Sequence, residues 1–407
     1  MQEWKNKYGL NILQVENNGM LPIPDAFSAK AANEILAFHR QLPGYSVTPL
    51  LSLPSLAHRL GVNAILVKDE SWRFSLNAFK SLGGSYAMFR MLCEKQGLNP
   101  HQTTLRDLTE GTNSSFLRET VFATATDGNH GRGVAWACGI FGCRVHIFMP
   151  KGSSDARVQA IRHAGPAEVT VTDYNYDETV RLAKEQCEKN SWLLIQDTSW
   201  EGYETVPSWI IQGYMTMACE MLDQTEMMKL QPTHLFLQAG VGSMAGSMLS
   251  YSVSRLDKKK PITTIVEPIN VDCIYRSARA GDGKTHSIVG DPVTIMAGLN
   301  CGTPCSVAWP ILRDYADFYV SCPDYAAAHG MRLYAGTETS DPRIISGESG
   351  ASTLGTAALI LTRPELLEAR KAMKLNANST LLFINTEGDT DPENYHQIVE
   401  SGAFPLP

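Results

Sequence analysis

Strand-like apolar runs alternate with helical stretches along this chain, and that alternation predicts an α/β fold. The strand-like runs are apolar on both faces, as in parallel sheets covered by helices on each side. A length of 407 residues is more than one compact core accommodates and suits two domains of ordinary size.

The elements follow in order. Residues 64–68 read as a strand and 78–94 as a helix; 120–125 as a strand and 130–141 as a helix. Residues 144–149 form a strand closed by Pro150, followed by a helix over 156–164 and strands over 168–171 and 193–196. A helix over 210–222, a strand over 234–238, a helix over 244–256 and strands over 262–266 and 381–384 complete the series. The polar segment 111–119 reads as a surface loop and 258–261 as a solvated turn. No repeat or low-complexity segment stands out.

Composition narrows the function. Hydrophobic residues make up 43% and charged residues 19%, the balance of a globular enzyme. A net charge of −7 and a pI of about 5.8 speak against a nucleic-acid partner and give no polybasic membrane signal. The opening residues have no apolar core behind them, so no signal peptide is expected and the cytoplasm is the expected compartment. The stretch 235–253 is broken by Gly240, Gly242 and Gly246, which fits a loop entering a helix better than a membrane span. Nine cysteines show neither a Cys-x-x-Cys pair nor zinc spacing, so no metal site is expected. Most read as buried thiols, with a Cys273–Cys301 pairing left open.

Three segments at carboxyl ends of strands, where ligands sit in such folds, carry the chemistry. The first is Ser75-Leu76-Asn77-Ala78-Phe79-Lys80-Ser81-Leu82-Gly83-Gly84. Lys80 at a helix start is either a solvated lysine or one that bonds a carbonyl as a Schiff base. Phe79 is either core or a wall for a ring. The second is Thr126-Asp127-Gly128-Asn129-His130-Gly131-Arg132-Gly133, either a capped turn or a ligand-contacting loop. The third is Gln238-Ala239-Gly240-Val241-Gly242-Ser243-Met244-Ala245-Gly246. It is a sharp strand-to-helix turn or a phosphate cradle, in which backbone N–H groups and the helix dipole hold an anion. It is neither a Walker loop nor a dinucleotide fingerprint, which opposes a dehydrogenase reading.

Together, in this order, the segments resemble the fold-type-II pyridoxal-phosphate (PLP) enzymes: serine and threonine dehydratases, threonine synthase and the tryptophan synthase β chain. The resemblance runs from about Ser46 to Glu393. It implies a tryptophan synthase β-like fold whose two domains each hold a mainly parallel twisted sheet flanked by helices. A small domain over 75–200 would be inserted in a large phosphate-binding domain formed by 1–74 and 201–407. One branch is matched more closely, the diaminopropionate ammonia-lyases. Asp127 heads the Gly-Asn-His-Gly loop where dehydratases place Ser or Ala. Gln196-Asp197-Thr198-Ser199-Trp200-Glu201-Gly202-Tyr203 adds a second carboxylate, and Ser346-Gly347-Glu348-Ser349-Gly350-Ala351 and Asn385-Thr386-Glu387-Gly388-Asp389-Thr390-Asp391 match late motifs of the branch.

The resemblance implies a homodimer that converts both isomers of 2,3-diaminopropionate, with water, to pyruvate and two ammonia. Lys80 would carry PLP beside Phe79. Asn129 would reach its phenolic oxygen, and Gly240, Val241, Gly242, Ser243 and Met244 its phosphate. Thr386 would face the pyridine nitrogen. Asp127 would serve as base for the D isomer and Asp197 for the L isomer. Asn77, Ser81, Tyr203, Glu348 and Ser349 would join Asp127 and Asp197 around the amino-acid substrate, with Glu267 under the cofactor. A serine or threonine dehydratase is the alternative within the fold, and a PLP-binding protein without turnover the alternative outside catalysis.

Overall fold

The computed structural model describes residues 1–16, 22–110, 114–290, 292–336 and 340–407. They form two compact units, the first from 1–29, 47–72 and 217–407 and the second from 30–46 and 73–216. The boundaries lie at 73 and 216, against the expected 75 and 200, and the segment 30–46 joins the second unit. The reason is packing. Phe38, on the helix Ala29–His39, stacks on Phe89 with ring centroids 4.4 Å apart. His39 hydrogen-bonds the Thr216 hydroxyl at 2.7 Å and the Leu82 carbonyl at 3.0 Å. Its ring is fully buried, so both nitrogens need partners.

Twelve strands occur among the described residues. In the first unit these are β1 (Gln2–Lys5), β2 (Asn11–Gln14), β3 (Leu50–Ser52) and β4 (Ala64–Asp69). The second unit holds β5 (Val121–Ala125), β6 (Arg144–Met149), β7 (Ala167–Val171) and β8 (Leu193–Leu194). The chain then returns to the first unit for β9 (His234–Gln238), β10 (Ile262–Pro268), β11 (Phe318–Cys322) and β12 (Thr380–Asn385).

The first unit's sheet has the order β1-β2-β11-β10-β9-β12-β4-β3. Its interior, from β11 to β4, is parallel; β1, β2 and β3 add antiparallel edges. β4, β9, β11 and β12 are buried at every position, as strands covered on both faces must be. The second unit's sheet, β7-β6-β5-β8, is parallel throughout.

Several local expectations shift. The helix expected from 78 begins at Ser81, because Asn77 sits at φ 56° and Lys80 occupies the N-cap. β8 stops at Leu194, and the Gln196 N–H goes to the Tyr203 hydroxyl at 2.9 Å instead of a neighbouring strand. Of the expected loop 111–119, residues 111–113 lie outside the described residues, while Ser114–Glu119 is helical. The solvated turn near 258–261 holds a 3-10 helix, Asp257–Lys259, and Lys260 pairs with Asp317 at 2.7 Å. None of the nine cysteines, all among the described residues, forms a disulfide: the Cys273 thiol approaches the Cys301 carbonyl at 3.6 Å, so the pairing left open does not form.

Candidate active site

In the second unit the chain leaves Arg73 through three left-handed residues, Phe74 (φ 50°), Ser75 (φ 58°) and Asn77 (φ 56°). Backbone held there by non-glycine residues is strained, and such strain concentrates at functional sites. It delivers Phe79 and Lys80 to the start of the helix Ser81–Lys95. The Phe79 ring packs on the buried Tyr214, centroids 4.8 Å apart.

The neighbouring helix Asn129–Phe141 lies directly on this segment. A Cβ at Gly133 would stand 2.8 Å from Ser81 N and Cα, so only glycine permits the approach. Thr126 shapes the loop before that helix, its hydroxyl accepting from Gly128 N at 3.0 Å and Gly131 N at 3.1 Å. These contacts place Asp127, Asn129 and His130.

The third piece is the end of β8. Gly202 at φ 83° turns the chain back, with Tyr203 N bonded to the Trp200 carbonyl at 2.8 Å. The Tyr203 hydroxyl then donates to the Leu194 carbonyl at 3.1 Å and accepts from Gln196 N. Tyr203, expected at the substrate, thus braces the backbone that carries Asp197. Gln196 adds a second brace, accepting from Ala125 N at 3.0 Å.

Asp197 Oδ2 receives the Lys80 ammonium at 2.5 Å, and His130 Nδ1 lies 3.9 Å from the same oxygen. Burial opposes ionisation of Asp197, but the Lys80 charge, then His130, overrides it and holds the carboxyl down to about 2. The reciprocal balance acts on Lys80: burial works against its charge, and Asp197 outweighs it, raising the ammonium above its ordinary value. Asp127 moves the other way. Burial pushes its carboxyl up, with Lys80 and Arg157 only partly offsetting this. Two carboxyls beside one lysine therefore differ in proton affinity. His130 is anchored through Nε2 to the Ile195 carbonyl at 2.9 Å. The Ser81 hydroxyl is buried without a hydrogen-bond partner among the described residues, next to Lys80.

The first unit carries the other expected residues. Between β9 and the helix Ser243–Leu256, Gly242 adopts φ 95°, and a Cβ there would meet Leu312 Cδ1 at 2.8 Å. No side chain caps that helix, so its first N–H groups point into the turn. Thr386, just past β12, accepts from Gln238 Nε2 at 3.1 Å, which leaves its own proton to donate. Gln238 also bonds the Ile384 carbonyl at 2.9 Å.

Glu348 opens the buried helix Glu348–Thr362, and its carboxylate accepts from the Asn394 amide. Burial, then the neighbouring Glu387 carboxylate, pushes Glu348 up to about 7. Ser349 Oγ is buried and has no partner among the described residues. Glu267, expected beneath a cofactor, instead accepts from Ile274 N at 2.8 Å and Tyr275 N at 2.6 Å, a bracing role at the helix Cys273–Ala280.

These residues fit PLP. Uncapped N–H groups at a glycine turn suit a phosphate, a hydroxyl with a proton to give suits an aromatic nitrogen, and a lysine suits an aldehyde. Thr126, Gln196 and Gln238 stand in the motif segments with no role assigned to them by the sequence, and Tyr214 carries no motif at all. A signal existed for the two glutamines, since each follows directly on a short apolar run, Leu193–Ile195 and Leu235–Leu237.

The comparisons agree. Residues 42–387 match the family of pyridoxal-phosphate dependent enzymes. A diaminopropionate ammonia-lyase of Salmonella typhimurium is 46% identical over 92% of this chain and 93% of the relative. The crystal structure of the Escherichia coli diaminopropionate ammonia lyase with D-serine superposes at a TM-score of 0.90, at 44% identity, covering 98% of this chain and 99% of the other. The same enzyme with an aminoacrylate-PLP azomethine reaction intermediate gives 0.88 at 45% identity, with coverage of 98% and 99%. The chain belongs to the pyridoxal-phosphate dependent enzyme family, in its diaminopropionate ammonia-lyase branch.

Proposed function

We propose that this chain is a carbon–nitrogen lyase that uses PLP to eliminate ammonia from 2,3-diaminopropionate, accepting both the D and the L isomer. The observation that carries this reading is the pair of carboxyls beside Lys80, Asp197 bonded to its ammonium at 2.5 Å and Asp127 held at higher proton affinity. Lys80 would hold the cofactor's aldehyde carbon, with Phe79 along the ring and Asn129 at the phenolic oxygen. The N–H groups of 240–244 would hold the phosphate, and the Thr386 hydroxyl would donate to the pyridine nitrogen. When bound, PLP supplies an electron-withdrawing ring that stabilises negative charge at the substrate Cα.

The remaining work falls to side chains. D and L isomers present the Cα hydrogen on opposite faces, so one base cannot serve both. Asp127 takes the proton from the D isomer and Asp197 from the L isomer. With Lys80 engaged in holding the cofactor, Asp197 would lose its ammonium partner, and that carboxylate's proton affinity would rise toward that of a working base. As the Cα–H bond breaks, the Cβ–N bond breaks and ammonia leaves. The released enamine takes up water, losing the second ammonia and leaving pyruvate. The two carboxylates also favour a dicationic substrate over a hydroxy amino acid. Asn77, Ser81, Glu348 and Ser349 complete the substrate contacts in this reading, and the enzyme works as a cytoplasmic homodimer.

Pyruvate release by the PLP-loaded protein tests the assignment. Strong turnover of both diaminopropionate isomers with weak turnover of D-serine, L-serine and L-threonine is expected. Turnover confined to L-serine or L-threonine would make the chain a dehydratase.

A further inference from the structure

The helix Cys273–Ala280 begins without the side-chain cap that a helix start ordinarily carries. Asp272 stands at the N-cap position, but its carboxylate turns to Arg276 at 2.7 Å. Glu267, at the end of β10, takes the first-turn N–H groups instead: Oε1 accepts from Ile274 N at 2.8 Å and Oε2 from Tyr275 N at 2.6 Å. Glu267 is 1% exposed, and among the described residues no Lys, Arg or His pairs with it. Burial pushes its carboxyl up against the pull of the two N–H groups. A Ser or Asp cap would satisfy the same donors from within the helix. A carboxyl reaching from β10 does more, because it ties the helix start to the sheet.

That tie reaches the glycine turn after β9. β9 and β10 are neighbours, with Gln238 in register with Val266, and Ala239 N donates to the Val266 carbonyl at 2.9 Å. Glu267 therefore stands beside the first residues of the turn. Further along, Cys305 N donates to the Val241 carbonyl at 2.7 Å. In a trans peptide the next N–H points to the opposite side, so this bond aims the Gly242 N–H away from Cys305. Where that N–H ends up depends on what flanks Gly242. Two side chains do so: Leu312 Cδ1 and Ile274 Cδ1 lie 2.8 and 3.0 Å from where a Cβ would stand. Ile274 is fully buried and is one of the two residues whose N–H Glu267 holds.

We propose that Glu267 is a positioning residue for the phosphate end of PLP: it fixes the first turn of Cys273–Ala280, and through Ile274 that helix keeps the Gly242 turn in the arrangement an anion needs. Donors already in place need no reordering when the anion arrives, whereas loosened donors do. This role rests on residues 240–244 holding the phosphate. Glu267 acts through Ile274 and does not itself touch the cofactor.

The test separates the phosphate from the rest of the cofactor. The full chain, freed of cofactor, is titrated with PLP and with pyridoxal, which has the ring and aldehyde but no phosphate, and binding is read from the absorbance of the lysine-bound form. The parent protein should bind PLP far more tightly than pyridoxal. Glu267→Gln keeps one acceptor and turns an amide N–H toward the other donor. It should weaken PLP by about tenfold and pyridoxal by no more than about twofold. Ile274→Val, which removes Cδ1 alone, should shift the two affinities in the same sense by less, and it decides the matter if Glu267→Gln does not fold. Arg276→Gln, which breaks only the half-exposed pair with Asp272 on the same helix, should change neither. A parent protein that binds both ligands equally would overturn the phosphate reading of 240–244. A parent that discriminates, beside Glu267→Gln and Ile274→Val variants that discriminate equally well or lose both ligands in parallel, would overturn the role of Glu267 alone.

Discussion

Around Lys80 the second unit assembles an ammonium, two carboxyls and an imidazole, and burial together with neighbouring charges sets the proton affinities of Lys80, Asp127 and Asp197. At the ends of β9 and β12 the first unit assembles backbone N–H groups, an amide and hydroxyls, and its acidic neighbour Glu348 is pushed toward the neutral form. The first set is suited to moving protons and the second to holding a ligand still. Each region therefore tolerates a different kind of substitution: charge changes should dominate in one and shape changes in the other.

The largest expected effect is at the lysine. Lys80→Ala should lose both turnover and the visible absorbance of lysine-bound PLP; a variant keeping both would remove Lys80 from the site. Shape governs the next. Gly242→Ala puts a methyl 2.8 Å from Leu312 Cδ1 at φ 95°, a conformation costing an L residue roughly 1–2 kcal/mol. Cofactor titration should show PLP affinity falling by about tenfold, and unchanged affinity would deny the turn its role as a cradle.

The last effect concerns stability and leaves the site's chemistry aside. The Glu348 carboxyl ordinarily titrates at 4.5 and is raised to about 7 in the fold. The folded state therefore binds the proton more tightly than the unfolded chain. Stability associated with Glu348 is fully present below about 4.5, declines as pH rises, and is lost above about 7. Glu348→Gln should flatten that decline by on the order of 1–3 kcal/mol in denaturant unfolding at pH 5 against pH 8. An identical pH slope in variant and parent would show that Glu348 is not the group responsible.

The two regions also differ in how much of them the sequence made legible. Glycine spacing and strand-to-helix position exposed the Gly240–Met244 turn, because those constraints are local. The interior strands β4, β5, β6, β9 and β12 were legible for the same reason: each is a short, mainly apolar run. β11 escaped, since Phe318–Cys322 follows the helix Trp309–Tyr315 with no Gly or Pro to mark its start. β1, β2 and β3 escaped as short antiparallel strands at or next to the sheet edges, with partly exposed positions. The helix Glu348–Thr362 is rich in Gly, Ser and Thr, which are poor helix formers, and burial on nearly every side stabilises it instead. Bracing contacts were illegible throughout. Gln238 meets Thr386 across 148 positions, and His39 meets Thr216 across 177; no local pattern encodes such pairs.

In the proposed function the two carboxyls beside Lys80 divide the isomers between them. The direct measurement is kcat/KM for D- and L-2,3-diaminopropionate in Asp127→Asn and Asp197→Asn. Asp127→Asn should lose D turnover by about 10²–10⁴-fold and spare L, with Asp197→Asn doing the reverse. Equal losses for both isomers in both variants would contradict the two-base account.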